Sequence, residues 1–468
     1  MDGPLGWLTH LVARASSELR QLPARSRVLY STRPRQLGIL TACAFLLVVW
    51  IDPRLYHSPA PRDILPLVPV PAPSSQLAQR LATLNATLDE HYRARGRTLP
   101  EQVFPYQALT RAQQSRYKLL SSRDGGGSGG GGGGIYLFAT LIRQVQDQLP
   151  DLLAALVVVV DTLGADRVAF TFLEGPSDDL TSSVFTSVLE PLLHTLGVPS
   201  RRIRIITDSP PLDFSHANRI ELLANLRNDA LQPLWQDPSL AANVKSVLFF
   251  NDVYLKAEHM LELLYMHQLN GAGVTAAWDW YKRQPAYFYD VWIETGDLFY
   301  PIPHAWWSPS DELFPDAPVS RAAFAQLEPF QVFCGWNGMV VMDPAPFLPP
   351  HNVRFRRSDV ARGECAASEC GLVCADYWKA GFGKVQVVPS VQLAYERDVA
   401  IQTEYLMQQQ RLELGWRDGT PPVRGGKLYK GLTWRTQPPE RIRCNPWPEK
   451  DGLGHNVWEH TKWVPPWL

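Results

Sequence analysis

The chain has 468 residues, with 45 Lys and Arg against 46 Asp and Glu. That length is ample for a large buried core, and the near balance of charge leaves no basic field of the kind a nucleic-acid partner requires. Its 16 Trp offer flat apolar faces with one N–H donor each, a chemistry suited to sugar rings and equally to cores.

The first element is apolar. Residues 37–51 read LGILTACAFLLVVWI without a charge. As a helix this run spans roughly 22 Å at about 1.5 Å per residue, short for a membrane crossing but tolerable in a thin bilayer. Arg14, Arg20, Arg25, Arg27, Arg33 and Arg35 precede it against Asp2 and Glu18. Positive-inside placement therefore predicts a cytosolic tail over 1–36, an anchor over 37–51 and a luminal remainder. A cleaved signal peptide is the alternative; the long Arg-bearing leader and the lack of a small-x-small site before Asp52-Pro53 count against it.

Residues 52–134 read as a stem and linker. Proline enriches 52–74, Asn85-Ala86-Thr87 is a glycosylation sequon usable in a lumen, and a helical stretch is expected near 76–97. The run GGGSGGGGGG at 125–134 lacks the Lys-Ser/Thr ending of a phosphate loop and precedes a strand instead of following one.

From 135 to 468 strands and helices alternate, which predicts a luminal α/β domain with a mainly parallel sheet flanked by helices. Strands are expected at 135–139 (IYLFA), 167–173, 203–206, 244–250 (VKSVLFF) and 274–278. Helices are expected from 141 to 149 and beyond, and at 183–196, 216–231 and 257–269. Residues 156–160 fit either a strand or the end of a helix.

Ligands of parallel α/β sheets bind beyond the carboxyl ends of the strands, so the residues there carry the chemistry. Asn251-Asp252 follows the 244–250 strand and supplies hard oxygen ligands for a cation bridging a diphosphate, or caps the next helix. Asp279 lies between Trp278 and Trp280, where it suits a sugar hydroxyl or a satisfied buried position. The loop 174–181 (EGPSDDLT) offers Glu174 and Asp178 to a ribose or base edge, or to a helix cap. Arg227 can clamp a phosphate, with Asn228 beside it. Glu369 opens a helix.

Six cysteines are present, of which Cys43 sits in the apolar run. The other five are Cys334, Cys365, Cys370, Cys374 and Cys444, an odd number that leaves at least one outside internal disulfides. An oxidising lumen favours disulfides over zinc for them; their pairing is open.

An ordered series of motifs runs through this domain. It comprises 174–181 (EGPSDDLT), 249–253 (FFNDV), 277–280 (AWDW), 288–292 (FYDVW), 330–339 (FQVFCGWNGM), 354–358 (RFRRS), 368–370 (SEC) and 388–396 (VPSVQLAYE). In this order the series resembles the fungal capsule-associated mannosyltransferases, the cryptococcal α-1,3-mannosyltransferase-like family (glycosyltransferase family 69). The resemblance covers about residues 135–400. It implies a GT-A-like fold, a retaining α-1,3 transfer of mannose from GDP-mannose to a mannose-containing glycan, and a divalent cation, Mn2+ or Mg2+. It further implies a single-pass type II Golgi membrane protein engaged in polysaccharide synthesis. The Asp-x-Asp of the wider GT-A pattern is absent, and Asn251-Asp252 stands in its place. The implied metal ligand is Asp252, with Asn251 a weaker one. Arg227, Asn228, Glu174 and Asp178 are implied at the donor nucleotide, and Asp279 and Glu369 at the sugar or acceptor as catalytic carboxylates. The alternative is a non-catalytic glycan-binding or capsule or cell-wall assembly factor on the same fold.

Overall fold

A computed structural model of the chain describes residues 73–105, 107–121, 134–207, 209–213, 217–281, 287–288, 317–422, 431–444, 446 and 462–467. The 37–51 run and the glycines 125–133 lie outside the described residues, as does the segment 289–292 of the family series. Among the described residues no helix is long and apolar enough to cross a membrane.

Folded structure begins well before residue 135. Helix α1 (Ser75–Arg93) starts at an N-cap in which Ser74 accepts from the Leu77 N–H. Its Leu77, Leu81, Leu84 and Leu88 recur at helical spacing and join the core. Helix α2 (Arg111–Ser121) places Arg116 in a two-point bond to Glu262, with N···O distances of 2.7 and 2.8 Å. Between them, the Val103 and Phe104 N–H groups donate to the buried Asp151 carboxylate. Part of the stretch expected as stem is therefore folded: α1 and α2 pack as part of the domain.

The sheet order is β3-β2-β1-β4-β8-β5-β9-β7, with β6 (Tyr287–Phe288) pairing β5. Its members are β1 (Ile135–Ile142), β2 (Val168–Glu174), β3 (Ile203–Ile206), β4 (Val244–Phe250), β5 (Val274–Tyr281), β7 (Phe330–Gln331), β8 (Met339–Met342) and β9 (Val385–Ala394). Strands β1, β2, β3 and β4 are mutually parallel, as expected. The second half departs from the expectation: β8 inserts antiparallel between β4 and β5, and β6 and β7 also run antiparallel to their neighbours, so the sheet is mixed. Because β8 is antiparallel to both β4 and β5, those two strands run the same way, and β9 is parallel to β5.

Helices cover both faces. Helix α3 (Leu149–Leu163) contains the ambiguous residues 156–160, and nearly all of it is buried. A helix enclosed on every side shows no polar stripe, which is why its sequence mimics a strand. The residues before it, expected to be helical from 141, instead extend β1 to Ile142 and form a loop. The segment expected to be one helix at 183–196 is α4 (Thr181–Val184) and α5 (Glu190–Thr195), joined by a π turn over Phe185–Leu189. On the opposite face lie α6 (Arg219–Ala230), the short α7 (Gln232–Gln236) and α8 (Pro238–Asn243). Helix α9 (Ala257–Asn270) follows β4, α10 (Pro318–Ala325) precedes β7, and α11 (Glu369–Lys379) and α12 (Arg397–Glu413) flank β9. Disulfides join Cys334 to Cys374 and Cys365 to Cys444, the second tethering strand β10 (Ile442–Cys444), which pairs β11 (Lys462–Val464).

Candidate active site

Topology brings four segments to one edge. The carboxyl ends of β4, β5 and β9 meet there, and β8, running the other way, delivers the turn before it, Trp336-Asn337-Gly338. Each contributes to a single chain of hydrogen bonds. Trp336 Nε1 donates to Asn251 Oδ1 at 3.3 Å, Asn251 Nδ2 donates to the Tyr395 hydroxyl at 3.2 Å, and that hydroxyl donates to Asp279 Oδ2 at 3.1 Å. The backbone supports it: Asn251 N–H donates to Gly338 O, and Asn337 Nδ2 to Ala277 O. Asn337 and Gly338 both have positive φ. At Gly338 a Cβ would also stand 3.1 Å from Val253 Cγ1, so glycine serves both the backbone conformation and the close approach.

Asp252, the next residue, is exposed. Its backbone oxygen accepts from Gln148 Nε2, which links the loop after β1 to this edge. The protein mass around the carboxyl raises its pKa by desolvation, partly countered by its own N–H and by the charge of Arg227.

Arg227 lies inside the protein, 7% exposed. Its Nε donates to Glu369 Oε1 at 2.9 Å, and its guanidinium sits 4.2 Å from the centroid of the Trp336 ring. The expected phosphate clamp is thus a buried cation, ion-paired and stacked, whose charge reaches Asp252 through space. Asn228, expected at the nucleotide, commits both ends of its amide to the Phe355 backbone at 2.8 and 3.0 Å. It positions a ring that packs against Trp336 and Phe249.

The two carboxylates expected to be catalytic are both enclosed. Asp279 is 0% exposed and bonded to Tyr395; Glu369 is 2% exposed and bonded to Arg227. The expected nucleotide loop follows β2 on the same edge, in register with β1 through Ile142 and Glu174. Glu174 is buried there, its pKa raised by desolvation that the nearby Ser177 and Ser182 hydroxyls only partly counter. Asp178 is exposed, 3.3 Å from Gln144 Nε2. Thr181 Oγ1, Ser177 Oγ and Asp179 accept backbone N–H groups of the loop after β1, so the two loops hold each other.

Sequence reasoning assigned no role to Trp336, Gly338 or Tyr395, although all three lie in the motif series. The available signal was their position: an aromatic residue with a polar tip next to a strand end is where a hydrogen bond between strands can form.

Among the described residues no group of three or more His, Cys, Asp or Glu is arranged to hold a metal ion. At the end of β4 the chain offers the exposed carboxylate of Asp252 and, next to it in sequence, the amide oxygen of Asn251. That sparse donor set fits a hard cation that completes its shell with phosphate oxygens and water, the usual habit of Mg2+ at substrate phosphates.

The carboxyl ends of β4, β5 and β9, with the exposed Asp252 beside them, form the kind of edge at which α/β sheets bind ligands. Comparison with known proteins makes the class specific. Residues 135–376 match the family described as Cryptococcal mannosyltransferase 1. Over 445 residues, 92% of each chain, the sequence is 48% identical to an alpha-1,3-mannosyltransferase of Cryptococcus neoformans var. neoformans serotype D. The protein is therefore a glycosyltransferase, and it belongs to the Cryptococcal mannosyltransferase 1 family. Among solved structures, S. aureus TarS residues 1–349 superposes with a TM-score of 0.32 at 11% identity, over 60% of this chain and 72% of that one. A Pyrobaculum calidifontis mannosyltransferase in complex with GDP-Man and Mn2+ gives 0.31 at 10%, over 68% of each. Scores of this size leave the description of the fold to rest on the chain's own topology.

Proposed function

We propose that this enzyme transfers mannose from GDP-mannose to a mannose-containing glycan, forming an α-1,3 linkage with retention at the anomeric carbon, on a GT-A-like framework. The observation that carries the reading is the 48% identity, over 92% of the chain, to a protein named for that linkage. The exposed Asp252 at the end of β4, where a donor diphosphate is expected, supports it.

Asp252 and Asn251 would hold the divalent cation, Mn2+ or Mg2+; bound there, it would take up charge on the departing diphosphate. Arg227 contributes positive potential from beneath, and Glu369 and Trp336 keep its guanidinium in place. Gln144 and Asp178 line the exposed rim where the loops after β1 and β2 meet, a position suited to ribose or base. Burial of Asp279 and Glu369 favours transfer in which the acceptor enters on the side from which the diphosphate leaves, over a covalent intermediate on either carboxylate.

The same reading places residues 37–51 in a Golgi membrane as a single-pass type II anchor, with the catalytic domain in the lumen. Two disulfides within that domain support an oxidising compartment.

The test is incubation of the purified full chain with GDP-mannose, Mn2+ and a mannose oligosaccharide, followed by NMR of the product. An α-1,3-linked mannose is expected. Absence of transfer under any cation, with tight glycan binding retained, would favour an assembly factor instead.

A further inference from the structure

The hydrogen-bond chain across the sheet edge has a direction imposed by its ends. An indole N–H only donates, so the Asn251 atom 3.3 Å from Trp336 Nε1 is the amide oxygen, and the amide NH2 faces Tyr395. The phenol oxygen accepts from that NH2 and sends its only proton to Asp279 Oδ2. Turning the Asn251 amide over would set its NH2 against the indole N–H and its oxygen against the phenol. Asp279 is 0% exposed, so the phenol hydroxyl is tied on one side to a buried carboxylate of β5 and on the other to the amide that follows β4.

This matters because an asparagine side chain presents oxygen or nitrogen to a ligand according to one rotation. A carbonyl oxygen has two lone pairs, and Trp336 uses one. We propose that Tyr395 is a positioning residue for transfer: its hydroxyl, anchored by Asp279, locks the Asn251 amide so that a lone pair of Oδ1 stays available to a divalent cation held by Asp252. The role assigned to Asp279 changes accordingly, from a reagent at the sugar to the fixed acceptor behind the metal ligand. The inference rests on the cation reading proposed above, and Tyr395 is 144 residues from the side chain it orients.

The experiment titrates Mn2+ into the purified full chain in the presence of GDP, reading free Mn2+ by electron paramagnetic resonance. Tyr395→Phe keeps the ring and removes the hydroxyl. The Mn2+ dissociation constant is expected to rise by about tenfold, the lower range for loss of a partner behind a metal ligand. Tm is expected to fall by no more than about 3 °C, the scale of one lost hydrogen bond in a large chain. GDP binding without metal should not change. A purely structural tyrosine predicts the opposite split, a lower Tm with unaltered Mn2+ affinity in the folded protein, and that result overturns the proposal. If Tyr395→Phe does not fold, Trp336→Phe removes the donor at the other end and is expected to give the same rise; unchanged affinity there also overturns it. Wild-type protein that takes up no Mn2+ with GDP would remove the cation reading together with this inference, whereas uptake by wild type and Tyr395→Phe alike removes the inference alone.

Discussion

His267 makes the fold sensitive to acid by an amount that can be worked out. It sits in the last turn of α9, where a helix end would ordinarily favour a charged imidazole. Burial wins instead: the ring is enclosed, and desolvation pushes its pKa from the ordinary value of 6.5 down to about 3. Its Nδ1 lies 3.0 Å from Thr275 Oγ1, a hydroxyl that already accepts from Gln386 Nε2, which leaves the hydroxyl proton for the ring nitrogen. The folded chain therefore holds a neutral His267 at a pH where the unfolded chain has protonated it. With a depressed folded-state pKa, this contribution is present above about pH 6.5 and is lost progressively as pH falls toward 3. Each pH unit in that window costs about 1.4 kcal/mol, so the 1.5 units down to pH 5 come to about 2 kcal/mol. The comparison is urea unfolding of wild type and His267→Asn at about pH 7.5 and pH 5. The variant is less stable at neutral pH because a smaller side chain leaves a void. Its stability should fall about 2 kcal/mol less than that of wild type on acidification, since His259, also buried with a lowered pKa, is common to both. Parallel losses in the two proteins would refute the assignment of a buried neutral ring.

Asp252→Asn should reduce transfer by at least roughly a hundredfold, because even groups behind a metal ligand are worth 10–100-fold. Its raised pKa means the folded state resists ionising it, so above the carboxyl's ordinary range the neutral amide should keep or raise Tm, as read by scanning fluorimetry. Arg227→Lys gives up the Nε–H bond to Glu369 and the stack on Trp336; a loss of about 2–4 kcal/mol of stability follows from a charge-assisted hydrogen bond plus a desolvated cation–π contact, measurable in the same urea titration. Cys444→Ser opens a disulfide that spans 79 residues and should cost about 2–4 kcal/mol. Faster hydrogen exchange is expected in β10 and β11 with α11 unchanged.

Where an element's own residues decide its structure, the sequence was sufficient. VKSVLFF at β4 is β-branched, aromatic and bounded by helices, and it is a strand as expected. Where a partner decides, local pattern failed. Residues 156–160 are β-branched, yet they are helical because α1, α9 and the sheet enclose α3. The amphipathic stripe of α1 was visible as a helix, but nothing within 75–93 says that its leucines meet α3. The antiparallel insertion of β8 has the same origin: MVVM over Met339–Met342 is too short and too uniformly apolar to announce a direction, and only its pairing with Val247–Phe250 and Val274–Ala276 sets it.

The candidate site separates along a related line. Asp252 could be singled out because it follows a buried strand, where the sequence alone left a cation ligand and a helix cap both open. Asp279 and Glu369 were assigned by residue type as catalytic carboxylates, and both are buried. A carboxylate that is nearly inaccessible must be satisfied by donors within the protein, and the donors found are Arg227 for Glu369 and Tyr395 for Asp279. These pairs cross 142 and 116 residues of sequence, a distance over which no motif can express the contact. With Glu369 and Asp279 matched to those donors, Asp252 stands exposed where β4, β5 and β9 end, under the charge of Arg227. Charge at this edge is thus arranged in depth, with the paired Glu369 and Asp279 inside and the carboxylates of Asp252 and Asp178 exposed at the surface.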